Sequence, residues 1–194
     1  MRQARFSRDE SGVTMIEFGL LAGPFMVVLM GIFMNSYILF SQSALDYAVD
    51  QAARSVMTGK TQSDSTIIDS TTFIDKVVCG PLSNLPSYMD CTKLKIDMRV
   101  LPNFASSNPG AIFAPGGSTM FCPGVGSNYV MLSASYPLPT LFPLLTWISP
   151  NGTSIGASTT GLTLDANGNY IRTLESSIVL RNEPFTATST LPGC

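Results

Sequence analysis

The chain has 194 residues, room for one globular domain plus an anchor but not for two independent cores. Its 11 basic and 13 acidic residues make up only 12% of the sequence, so it has no basic surface suited to a polyphosphate backbone, and nucleic acid is not an expected partner. Histidine is absent, which removes the commonest general base and the Ser-His and Cys-His nucleophile arrangements; no catalytic constellation, cofactor or metal site is predicted.

Arg2, Arg5 and Arg8 precede a run of 28 residues, Phe18 to Leu45, without Asp, Glu, Lys or Arg. As a helix at about 1.5 Å per residue this run spans roughly 40 Å, more than the roughly 30 Å hydrocarbon core of a bilayer. One membrane-crossing helix is expected. The arginines favour a cytoplasmic N-terminus and place the four cysteines on the far side, where an oxidising compartment would suit them. A cleavable secretory signal is the competing reading, with Ser41, Ser43 and Ala44 as its small residues, but such signals have apolar cores of about 7–15 residues. A signal anchor that is never processed fits the hydropathy equally well.

Glu17 opens the apolar run, where a carboxylate costs up to about 3 kcal/mol at mid-bilayer and less near the interface. It stands five positions after Gly12 in the run Ser11-Gly12-Val13-Thr14-Met15-Ile16-Glu17-Phe18. This run resembles the processing signature of type IV pilins and pseudopilins, which a prepilin peptidase cuts after the glycine. The resemblance implies cleavage between Gly12 and Val13 and a new, mostly cationic α-amino group at Val13. It also implies that Glu17 pairs with the amine of a neighbouring subunit, offsetting the desolvation of both charges, with Phe18 beginning the assembly helix. A glutamate that merely snorkels into headgroups is the alternative. Pro24, preceded by Gly23, predicts a kink or local melting, although membrane helices tolerate both residues.

Beyond the run, Leu45, Ala48, Val49, Ala52, Ala53 and Val56 recur at helical spacing while Asp46, Asp50 and Arg54 share another face, so the helix continues as an amphipathic one. Asp50 and Arg54 form an i,i+4 pair, and Gly59 is a C-terminal stop. A second helix is predicted over Ser70 to Val78 and a strand over Leu94 to Val100, with further β-rich stretches from Tyr129 to Tyr136 and from Asn169 to Leu180. Pro102 to Gly126 is rich in Pro, Gly, Ser and Asn and reads as loop. From Leu101 through Leu164 no residue of 64 is charged, which suits a surface covered by partners or a turn-rich domain solubilised by Ser, Thr and Asn. Within that run Pro137 to Pro150 is apolar and contains Trp147, yet its prolines argue against a second span. Asp165 to Asn169 reads as an Asn-Gly hairpin turn rather than a calcium loop.

Four cysteines permit three connectivities. The expected one joins Cys79 to Cys91 and Cys122 to Cys194, for roughly 3 and 4 kcal/mol by the chain-entropy model.

Three segments resemble TadE/TadF-like minor pseudopilins of tight-adherence, type IVb-like pilus systems: Arg2 to Pro24, Ala44 to Arg54, and Arg181-Asn182-Glu183-Pro184-Phe185. The expected fold is α+β, a long N-terminal helix packed by its C-terminal half on a small antiparallel-sheet head with disulfides. Residues 1–12 would be a cleaved leader, 13–58 the transmembrane and stalk helix, and 59–194 a periplasmic head. The resemblance implies a non-enzymatic structural subunit of the bacterial inner membrane, or of the pilus itself. Its partners would be the prepilin peptidase, other pilins or pseudopilins in TadE–TadF-type pairing, and the inner-membrane assembly platform. A type II secretion pseudopilin uses the same signature, and a signal-anchored periplasmic binding or adhesion domain is the reading from a different class.

Overall fold

The computed structural model describes residues 11–80, 85–106, 118–140, 162–164 and 170–186. Contacts divide the chain into two compact units, Met1–Ile38 and Leu39–Cys194, so the second half of the first helix belongs to the unit that holds the sheet. The fold is α+β, as expected.

Helix α1 spans Ser11–Met57. Its first half carries large apolar side chains on every side, and they are exposed: Phe18 at 73%, Phe25 at 61% and Phe33 at 67%. Pro24 lies inside α1 without interrupting it, so the expected local melting does not occur. A proline removes one i→i−4 bond, which the turns on either side can bridge. In the second half, Leu45, Ala48, Val49, Ala52, Ala53 and Val56 are all buried. They fall on one helix face, and the three alanines let that face approach its neighbours closely. On an exposed face Arg54 Nη2 lies 3.2 Å from Asp50 Oδ2, an i,i+4 pair worth about 0.3–0.5 kcal/mol.

The helix stops at Gly59, whose φ of +77° is left-handed and whose N–H donates to Val56 O at 3.1 Å. A single turn, α2 (Lys60–Ser63), follows. Helix α3 (Ser70–Phe73) is opened by a capping box: Asp69 Oδ1 accepts from the Thr72 N–H, and the Asp69 N–H donates to Thr72 Oγ1. It runs directly into a π-helical turn, Ile74–Val78, so the stretch predicted as one helix is helical throughout but widens at its fifth residue. Cys79, just past that turn, is disulfide-bonded to Cys91 across 12 residues. Cys122 is buried and also disulfide-bonded; its expected partner Cys194 lies outside the described residues, as do Trp147 and the Asp165–Asn169 turn.

Four antiparallel strands form one sheet in the order β1-β2-β4-β3, with β1 Lys95–Leu101, β2 Tyr129–Pro139, β3 Leu162–Leu164 and β4 Tyr170–Arg181. All three expected strands run past their expected ends, β1 and β4 by one residue and β2 through two prolines. The register explains how. Asn182 N–H bonds Asn128 O across the β2–β4 pair while Glu175 O bonds outward to Gln42, so even residues of β4 face β2 and odd residues of β2 face β1. Pro137 and Pro139 therefore turn their missing N–H groups toward β1, which begins only at Lys95, opposite Ser135. No ladder bond is lost there.

The even positions of the sheet form its apolar face: Ile96 and Met98, then Val130, Leu132, Ala134, Tyr136 and Leu138, then Leu174 and Leu180, all buried. The outer edge of β1 is covered by a segment of the region read as loop, because Met98 N–H donates to Met120 O and Cys122 N–H to Met98 O. That segment also accounts for Asp97, which alternation assigns to solvent and the structure buries completely. Asp97 accepts from the Met120 N–H at 2.6 Å and pairs with Arg99 at 2.9 Å. Arg99 in turn donates to the Ser118 carbonyl.

Replacing this carboxylate with an amide, Asp97→Asn, removes the ion pair in a buried setting and is expected to destabilise the protein by about 2 kcal/mol, read as a lowered thermal midpoint. A second outcome concerns acid. The Thr72 backbone N–H and then its hydroxyl hold the Asp69 carboxyl below its ordinary 3.8. A carboxylate whose folded pKa is depressed contributes stability above its unfolded-state pKa and loses it as pH falls through the lower folded value. Stability is therefore expected to drop on acidification below about pH 4, and less steeply in Asp69→Asn, followed by circular dichroism of the full chain in detergent.

Candidate functional site

Gly12, Val13, Glu17 and Phe18, the residues of the expected processing signature, share one short stretch of backbone. Gly12 and Val13 lie in the first turn of α1, and Glu17 is one turn further on, roughly 6 Å along the axis from Val13. Glu17 and Phe18 are exposed, and among the described residues Glu17 forms no ion pair. The carboxylate thus stands in the second turn of α1, just before the apolar run, with no ion-pair partner among the described residues. Thr14 to Met57 is long and apolar enough to cross a membrane, with mean hydropathy 2.0 in its most apolar window and none of that window buried.

A feature of this stretch was open to a reading of spacing alone. Gly19 and Gly23 sit one turn apart on α1, and a Cβ built on either meets nothing within 4 Å. In apolar surroundings two glycines at i,i+4 bare the backbone of a helix to close approach by another.

The other two segments that resemble pseudopilins serve the sheet-bearing unit. Ala44 to Arg54 supplies most of the buried face of α1. Arg181 to Phe185 closes the far end of the helix. Asn182 Nδ2 donates to the carbonyls of Pro123 and Val125 at 2.9 and 3.1 Å, and Glu183 N–H caps the free Met57 carbonyl at 2.9 Å. Gln62 supports the same corner, donating to Val56 O and Pro123 O. Phe185 covers Gly59 so closely that a Cβ there would come within 2.7 Å of its ring. Arg181 itself lies over the ring of Tyr129, its partner across the ladder, at 5.6 Å. Apart from the Gln62–Val56 bond, six residues apart, none of these roles follows from sequence spacing, because each joins residues more than fifty positions apart.

Gly59→Ala meets both the left-handed φ and the Phe185 ring, so it is expected to cost about 2 kcal/mol of stability, with Asn182→Ala of similar size through two lost carbonyl partners; urea unfolding of both variants checks this.

Residues 12–54 match the family model described as TadE-like protein. The match starts at Gly12, includes Glu17 and the whole apolar run, and ends at Arg54 on the amphipathic part of α1, less than a quarter of the chain. No curated protein and no solved structure matches the chain.

Proposed function

We propose that this chain, TadE-like over most of its first helix, is a minor pseudopilin: a structural, non-catalytic subunit needed to assemble a tight-adherence pilus. The observation that carries the reading is Glu17, an uncompensated carboxylate five positions after Gly12 at the head of an exposed apolar helix, inside the matched segment. In this reading a prepilin peptidase on the cytoplasmic side hydrolyses the Gly12–Val13 peptide. The helix stays in the inner membrane with the sheet-bearing unit in the periplasm.

Cleavage would do more than trim the chain. It exposes a cationic amine at Val13, one turn from Glu17, so the mature helix begins with a positive and a negative group on one face. Within one subunit the pair is local. Between two staggered subunits the same groups neutralise each other as apolar helices pack laterally, and the Gly19–Gly23 face supports close packing. Neighbouring pilins or pseudopilins, including a TadF-type partner, and the assembly platform would be met through this helix.

Two measurements test the reading. Mass spectrometry of protein isolated from membranes should give an N-terminus at Val13 only when the prepilin peptidase is functional; an intact Met1 or a start near Ala44 would instead describe a signal anchor or a secreted domain. Glu17→Ala should still be cut but should enter assembled pili about tenfold less, since the amine of its neighbour loses its counter-ion in apolar surroundings. Normal piliation with Glu17→Ala would end this account of assembly.

A further inference from the structure

A cleft of about 560 Å³ opens within the sheet-bearing unit, between the second half of α1, the α2 turn and the π-helical turn. Its volume lies in the range of small-ligand sites. The α1 wall is a polar stripe, Tyr47, Gln51 and Ser55, at i, i+4 and i+8. The apolar floor is Ala48, Ile67 and Val78, all buried. The facing wall is held in place: Val78 ends the π-turn, Cys79 is tied to Cys91, and Gly80 lies so close to the Lys76 carbonyl that a Cβ there would come within 2.3 Å of it. The cleft is therefore preformed rather than a gap between mobile segments.

Most polar groups around it are already committed to one another. Ser55 and Thr61 share a hydrogen bond, Ser63 donates to Gly59 O, and Lys76 donates to Thr66. Asp64 accepts from both the backbone and the hydroxyl of Thr66. What stays uncommitted among the described residues is the Tyr47 hydroxyl, the Gln51 carboxamide and the Lys60 ammonium. Half of Tyr47 is exposed, so its ring is available at the rim.

This set selects a kind of ligand. A flat ring suits a face of C–H groups, a carboxamide suits hydroxyls because it both donates and accepts, and a lining whose charges are Lys60 and Lys76 against Asp64, one positive in sum, suits one carboxylate. A phosphate, with about two negative charges, would call for a larger excess of cations than Lys60 and Lys76 leave over Asp64, or for a guanidinium fork. We propose that the cleft binds a carboxylate-bearing saccharide, with its ring on Tyr47, its hydroxyls on Gln51 and its carboxylate at Lys60. This inference goes beyond the assembly role and does not rest on it.

The test is titration of the full chain in detergent micelles with digalacturonate, and in parallel with the neutral galactose disaccharide and with triglycine, read by calorimetry and ligand-observed NMR. Saturable binding of digalacturonate is expected. Tyr47→Ala and Gln51→Ala should each weaken it about tenfold, and Lys60→Gln should weaken it about tenfold while making acidic and neutral disaccharides equivalent. Lys95→Gln, an exposed lysine on β1 outside the cleft, should change nothing, and unchanged circular dichroism keeps folding separate from binding. The proposal is overturned by absence of binding at about 10 mM, by equal affinity of the unaltered protein for the neutral sugar, by tighter binding of triglycine, or by variants that bind as the unaltered protein does.

Discussion

The structure depends on one helix that changes character without breaking. From Phe18 to Phe40 α1 is apolar on nearly all sides, and from Ser41 onward it is apolar on one side only. Burying a large aliphatic or aromatic side chain is worth about 1.5–3 kcal/mol, so the six buried positions from Leu45 to Val56 anchor the second half to the sheet-bearing unit. The large apolar side chains of the first half stay exposed among the described residues. A helix apolar all round suits a protein core or a bilayer, and this one is long and apolar enough to cross a membrane.

That division of labour explains why the far end of α1 is so heavily secured. Met57 is capped by Glu183, Gly59 turns the chain under Phe185, and Gln62 and Asn182 both hold Pro123. Three segments distant in sequence meet at one corner. If subunits associate through the apolar part of the helix, any force on it passes into the folded unit along the remainder, and this corner is where the remainder is fastened.

The sheet meets its own constraints by similar local devices. Prolines enter the central strand where the neighbouring strand has already ended, and a buried aspartate is tolerated because an arginine and a backbone amide converge on it. The edge of β1 is covered by backbone from Met120 to Cys122, which keeps its polar groups from templating other strands.

Much of this was legible in advance. Apolar periodicity located α1 and its change of character, because an uninterrupted run and a 3.6-residue repeat are properties of neighbours in the chain. The Gly12–Glu17 spacing is equally local, as are the capping box at Asp69 and the alternation of β1. Strand ends at Pro139 and Arg181, the burial of Asp97 and the edge segment at Met120 were not legible, since each depends on which strand ends beside which. The Arg181–Phe185 motif was visible as a pattern, but its work at Met57 and Gly59 was not. By itself the sequence determined the helix, its apolar half and the class of fold, all set by short-range pattern and composition. Only the tertiary structure decided which polar groups spend their hydrogen bonds on one another and which, like those of Tyr47, Gln51 and Lys60, are left over, because that sum closes only when residues far apart in the chain are brought together.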